Sequence, residues 1–462
     1  MLTSKPTIGS EQTFIATRSA FGEWDFARPQ IHGARGAWLT DDSGRTWLDF
    51  ASGSGSLILG HADAQCIAVL AAQASQVSLY PGQLFRCAVV EDYLRMLTGF
   101  VGGELTRALT ASSGSDAVEA AMKLAIQHHQ ARGDPHRNRI VGRAGSYHGN
   151  SLFGLSVGGH LQRRAPYESA LPLVPRAAAA FCYRCQFDQT PDKCTVQCAD
   201  SLESAIVAAG PDSIAAVIVE PIVGAALSAA VPDERYLSRV RQTCDRHGIL
   251  LIFDEVLTGF GRTGRPFAFQ HWGVSPDMVV LGKAISAGYF PLSAVVATER
   301  VVEPLRAAGC YFENGQTHQF NPVGAAVGKH VIERIRAEGL AERAATLGES
   351  LLDRLEVLRR FDCIGDIRGK GLMLGIELVR RRDVKQRFEK HSAVARRFAD
   401  AALRAGLVVY PCTGGPESSA GDHVLLLPPL TLREEEMEHA VAALVSSAEE
   451  LQRACCSRAA PD

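Results

Sequence analysis

Four short apolar runs constrain this chain more than any other feature: Ala215 to Val219, Ile249 to Phe253, Met278 to Leu281 and Ala294 to Ala297. Each is too short for an ordinary helix and uninterrupted by polar residues, the mark of strands buried on both faces. Around them, 116–131, 235–246 and 322–338 carry apolar residues at helical period. Such alternation predicts an α/β fold with a mostly parallel sheet, helices on both faces and ligands at the carboxyl ends of the strands. After about residue 326 the pattern changes. Helical stretches at 341–360, 392–405 and 432–452 surround apolar runs at Leu372 to Leu378, Leu407 to Tyr410 and Val424 to Leu427, which predicts a smaller α+β domain. The segment GAWLTDDSGRTWLDFASGSG reads as a hairpin turning at Asp42 to Gly44. The expected division is 1–60 as an N-terminal segment of the small domain, 61–325 as the large ligand-binding domain with a cysteine-rich insert at 182–198, and 326–462 as the C-terminal small domain.

With 462 residues and 46% hydrophobic content the chain supports substantial cores. A formal charge of -2 provides no basic stripe for nucleic acid. The start, MLTSKPTIGSEQTF, lacks the apolar core of a signal peptide, and no apolar run is long enough to span a bilayer. The expectation is a cytoplasmic protein with small-molecule partners and neither nucleic acid nor membrane.

The chemistry concentrates where the apolar runs end. Ile249 to Phe253 is followed at once by Asp254 and Glu255. A buried carboxylate needs a cation. Arg262 and Arg265 offer a structural ion pair as one reading. The next run ends on Leu281 and Gly282 and then Lys283, which among the lysines alone caps a strand between small or apolar neighbours. A desolvated lysine amine can attack a carbonyl, although a lysine there could equally snorkel to the surface. An acid and an amine at adjacent strand ends suit pyridoxal phosphate, which needs an amine for its aldehyde and a carboxylate for its ring nitrogen. Its phosphate then requires a helix start. LTASSGSDAVEAAMKLA provides one, with Gly114 allowing close approach, although Ser113 and Asp116 also match an ordinary capping box. RAGSYHGNS exposes Tyr147 and His148 between glycines, and Val256 points to the same side of an extended chain as Asp254.

In this order the blocks SSGSDAVEAAMKLA, YHG, VIVEPIVGA, LLIFDEVLTGFGRTG, LGKAISAGYFPLSAVV, QTHQFNP and DIRGKGLMLGIEL resemble the class III, ω-type aminotransferases, pyridoxal phosphate enzymes of fold type I. The resemblance implies that an amino group passes from an amine or amino acid donor to a 2-oxo acid or aldehyde. Lys283 would form the Schiff base and shuttle the proton, Asp254 would pair with the ring nitrogen, and Gly114 and Ser115 would cradle the phosphate. Tyr147 would stack on the ring, Val256 would cover its other face, and His148 and Glu220 would complete the cofactor site. Thr317 resembles the threonine that reaches the phosphate from a partner subunit, which implies a homodimer with shared active sites. Arg368 resembles an arginine that grips a substrate carboxylate, and Glu220 the acid that pairs with it when the substrate lacks one. Trp24, Tyr80 and Phe85 are candidate pocket walls. Related dialkylglycine decarboxylases tend to place Trp where Tyr147 stands, which favours transamination over a same-fold decarboxylase, aminomutase or racemase.

Of twelve cysteines, four fall together as CYRCQFDQTPDKCTVQC. Cys182, Cys185, Cys194 and Cys198 match the ligand count of a tetrahedral zinc site, with a gap between the pairs shorter than in common fingers. Zinc and free thiols both remain open, as does a zinc-clipped binding protein without catalysis; disulfides are disfavoured in a reducing cytosol.

Overall fold

A computed structural model describes residues 29–389, 392–415 and 421–456. Its centre is a seven-stranded sheet in the order Arg107–Ala111, Ser293–Ala297, Met278–Leu281, Leu250–Asp254, Ile214–Val219, Arg139–Arg143 and Arg176–Ala177. Neighbouring strands from Met278–Leu281 to Arg176–Ala177 run parallel, whereas Ser293–Ala297 is antiparallel to both of its neighbours. All four apolar runs are strands of this sheet, and every residue in them is buried.

Period-two alternation divides these strands between two cores. Val217, Val219, Leu251, Phe253, Val279 and Leu281 face one. Ile218, Ile252, Met278 and Val280 face the other, together with Val118, Ala121 and Met122 of the helix Gly114–Ala131. Asp254 follows Ile252 onto that second face by the same parity. The sheet thus aims the acid towards the side on which this helix begins.

A second, antiparallel sheet runs Ile364–Lys370, Met373–Leu378, Gly421–Leu426 and Tyr410–Gly414. A third joins Ile31–Arg35, Trp38–Asp41 and Thr46–Asp49 to Leu407–Val408, so the start of the described chain pairs with a strand near its end. The expected hairpin forms, with Gly44 at φ +82° in its turn. Two expectations differ in detail. The run Leu407 to Tyr410 is not one strand: it divides after Val408 and feeds two sheets. The stretch 341–360 tightens after Leu355 from an α-helix, Leu340–Leu355, into a 3-10 turn. Among the described residues no helix is long and apolar enough to cross a membrane.

Gly142 shows how tightly the site-bearing layer sits on the sheet. A Cβ there would lie 1.9 Å from the Val157 carbonyl oxygen, which belongs to the helix Leu152–Val157 just beyond Tyr147. Backbone, unlike a flexible side chain, cannot yield cheaply. Gly142→Ala is therefore expected to destabilise the fold by ~3 kcal/mol, read as a lower urea midpoint; an unchanged midpoint would contradict this packing.

Candidate active site

The two carboxylates after Phe253 have different fates. Glu255 is fully buried, and its oxygens accept the backbone N–H groups of Ala268 at 3.0 Å and Phe269 at 2.8 Å. It anchors the returning loop and faces no ligand. Asp254 lines a cavity of about 280 Å³. Its Oδ1 accepts the Val256 N–H at 3.0 Å, and its Oδ2 lies 2.8 Å from His148 Nδ1. Arg262, the structural partner considered for Asp254, instead donates to the carbonyls of Leu372, Pro428 and Gly55.

Lys283 lines the same cavity, directly after the neighbouring strand. Burial lowers the pKa of its amine, against the opposing pull of Asp254 and Glu220. Its backbone is left-handed, φ +45°, a strained conformation for a residue with a Cβ and one that clusters at functional sites. Gly282 and Gly114 admit Val256 between them: a Cβ on either would lie 3.1 or 3.0 Å from Val256 Cγ1. This convergence sets the first turn of the helix Gly114–Ala131 beside the ends of the Asp254 and Lys283 strands. The capping reading also holds there, because Ser113 Oγ accepts the Asp116 N–H at 3.2 Å.

The Tyr147–His148 turn closes the cavity. Glu220, at the end of the intervening strand, accepts the Tyr147 N–H at 3.2 Å and the Gly224 N–H at 3.1 Å. Burial raises the pKa of this carboxyl, with His148 opposing. Ser115 Oγ accepts the Asn150 N–H at 3.1 Å, and Gly149 at φ +103° passes so close that a Cβ would meet Ser115 Oγ at 2.5 Å.

Gly114, Ser115, Tyr147, His148, Glu220, Asp254, Val256 and Lys283 are thus brought together around one cavity. Thr317 and Arg368 are not. Thr317 is exposed on a separate groove of about 1380 Å³, which Tyr80 also lines. Phe85 is exposed outside the Lys283 cavity, and Trp24 lies outside the described residues. Arg368 does not pair with Glu220. Its guanidinium donates to Glu377 at 2.8 Å, Asp366 at 3.2 Å, Leu227 O at 2.7 Å and Ser228 O at 2.9 Å. The four insert cysteines form no disulfide. No three of their sulfurs lie within 4.8 Å of one another; among the described residues the one group of three potential ligands that close is Asp63, Cys66 and His330. Sequence reasoning gave no role to Arg163, Tyr410 or Ser54, which also line the Lys283 cavity.

A primary amine, an oriented carboxylate, a glycine-lined helix start that a Cβ would crowd and a flat aromatic side chain form a donor set that fits pyridoxal phosphate. The fold and this set define a fold-type I pyridoxal phosphate enzyme. The Aminotransferase class-III family profile matches residues 25–447, and the chain belongs to that family, whose reaction is pyridoxal phosphate-dependent transamination. An uncharacterized aminotransferase of Bacillus subtilis, YodT, is 33% identical over 91% of this chain and 95% of its own. A taurine–pyruvate aminotransferase of Bilophila wadsworthia is 31% identical over 88% and 90%. Among solved structures, an amine transaminase from an uncultivated Pseudomonas species in the PLP-bound form superposes with a TM-score of 0.86 at 35% identity, covering 92% of this chain and 95% of that one. A thermostable (S)-enantioselective omega-transaminase from Thermomicrobium roseum gives 0.86 at 30% identity, covering 92% and 93%.

Burial lifts the Glu255 carboxyl from 4.5 to about 7. Between those values the folded chain binds a proton that the unfolded chain releases, so this group's contribution to stability falls as pH rises through the window. Glu255→Gln removes the titration and is expected to flatten the pH dependence of Tm from 4.5 to 7. An unchanged slope would contradict the buried-acid account.

Proposed function

We propose that Lys283 is the amine that holds the cofactor's aldehyde and then carries the proton at the substrate carbon. The placement of Lys283 and Asp254 at adjacent strand ends, lining one cavity, carries this reading. When bound, pyridoxal phosphate supplies an electron sink that stabilises negative charge on the carbon next to the substrate nitrogen. Asp254 offers its carboxylate to the ring nitrogen, while His148 and the Val256 N–H fix its orientation. The first N–H groups of the helix Gly114–Ala131 take the phosphate at Gly114 and Ser115. Tyr147 and Val256 cover the two ring faces, and Glu220 holds the Tyr147 turn in place. Burial of Lys283 makes its neutral, nucleophilic amine more accessible than that of an exposed lysine.

A homodimer belongs to this proposal. Leu79, Leu84, Phe85 and Tyr311 are large apolar side chains left exposed in a single chain, and Leu79 and Tyr311 line the Thr317 groove. A second copy seated there would cover them and bring Thr317 to the other copy's phosphate. Residence in the cytoplasm is supported by ten described cysteines that form no disulfide. Zinc at the insert forms no part of the proposed function, because among the described residues no three of the insert sulfurs lie within 4.8 Å of one another.

Borohydride reduction of the holoenzyme followed by peptide mapping is expected to place the cofactor on Lys283. Lys283→Ala should lower the transamination rate by at least about 10²- to 10⁴-fold. Label on another lysine, or an active variant, would refute the assignment. For the dimer, Leu84→Asp with Phe85→Asp is expected to shift the light-scattering mass from two chains towards one and to weaken cofactor retention. A wild-type protein of monomer mass would remove the shared-site reading.

A further inference from the structure

Arg163 is a strong donor in the Lys283 cavity that has no acid partner among the described residues. It lines the cavity with Lys283, Asp254 and Glu220. Its guanidinium stands 4.7 Å from the centre of the Tyr147 ring and hydrogen-bonds with the Tyr410 hydroxyl, which Ser54 also reaches. Among the described residues it makes no ion pair.

Its chain neighbours explain why it stays there. Arg164 is buried and donates from Nη1 to the carbonyls of Leu155 and Ser156 at 2.7 Å and of Gly158 at 3.1 Å, and from Nη2 to Glu168 at 2.9 Å. Gln162 Oε1 accepts a hydrogen bond from the Thr413 hydroxyl at 2.5 Å. The four-residue helix Leu161–Arg164 is therefore pinned on both sides of Arg163, which limits its freedom to swing into solvent.

An aromatic face and a neutral hydroxyl occupy part of the guanidinium but supply no formal negative charge. A half-buried arginine in that state gains most from an anion brought by a ligand. The cofactor phosphate is provided for at Gly114 and Ser115. Arg163 instead contacts Tyr410, of the strand Tyr410–Gly414, and shares it with Ser54.

We propose that Arg163 receives the carboxylate of the amino acid donor or 2-oxo acid acceptor. The inference rests on the transamination reading above and names the substrate class of that site. The planar fork pairs with both oxygens of a carboxylate, and a substrate lacking one leaves the guanidinium stacked on Tyr147. Arg163 thereby sets the preference for acids over simple amines.

The test uses the holoenzyme and a non-reacting pair of probes, propionate and propionamide, whose binding is measured by calorimetry. Wild type is expected to prefer propionate, Arg163→Met to reduce that preference about 10- to 100-fold, and Arg163→Lys to retain part of it. In parallel, the spectral change of the donor half-reaction with L-alanine and with isopropylamine should show the same fall in the acid-to-amine ratio. A preference that persists in Arg163→Met, or a wild type without one, overturns the proposal. Weakened cofactor retention in Arg163→Met with the propionate preference intact would assign the residue to the phosphate and also overturn it. A wild type that binds propionate yet converts no donor would instead count against the transamination reading. The lysine variant and wild-type binding keep the test decisive if the methionine variant does not fold.

Discussion

The hydrogen bond between His148 and Asp254 organises the site, because it braces strand ends that are not neighbours. His148 comes from the turn after Arg139–Arg143, and Asp254 ends Leu250–Asp254; between them lies Ile214–Val219. Glu220, the residue after that middle strand, accepts the Tyr147 N–H. Three adjacent strand ends are therefore cross-linked by buried polar groups, each worth about 1.5–3 kcal/mol where a charged group takes part. A turn so held fixes the backbone from which Tyr147, the proposed stacking residue, projects.

Much of this was legible in the sequence for a physical reason: buried parallel strands are continuous apolar runs, and the residues that follow them fall at the ligand edge. Asp254, Lys283, Gly114 and Tyr147 could be placed together from that rule and the family resemblance. Side-chain direction was less legible. Adjacent Asp254 and Glu255 look equivalent in one dimension, yet strand parity and two backbone donors make one face the cavity and the other anchor a loop. Segments without periodicity were not legible either. Arg163 sits in GGHLQRRAP, where nothing distinguishes it from Arg164 until the fold turns one inward to the cavity and pins the other on carbonyls.

The contrast between Arg368 and Arg163 turns on what each would give up by meeting a substrate. Arg368 bonds two carboxylates and two carbonyls, and Glu377 beside it is buried. Burial raises the pKa of Glu377, but Arg368, His423 and Arg184 together hold it below the ordinary value. Withdrawing Arg368 would strip a buried acid of its main partner, a change of about 3–5 kcal/mol, comparable with what a carboxylate ligand could return. Arg163 would give up a contact with an aromatic face, about 0.5–2 kcal/mol, and one neutral hydrogen bond. The same residue type is thus structural in one place and open to a ligand in the other.

The same network anchors the cysteine insert. A loop with little core needs anchors, and these are polar. Arg184 pairs with Glu377 at 3.3 Å and donates to the Lys385 carbonyl at 2.6 Å, while Lys385 Nζ returns a bond to the Tyr183 carbonyl at 2.7 Å. At the far end, Arg235 reaches the Cys194 carbonyl at 2.9 Å, and the Gln189 amide bonds Thr195 through both backbone and side chain. Phe181 and Val196 are buried at either end of the loop. With Glu377 shared by Arg184 of the insert and Arg368 of the second sheet, the loop is fastened to the body that supplies Tyr410 to the cavity.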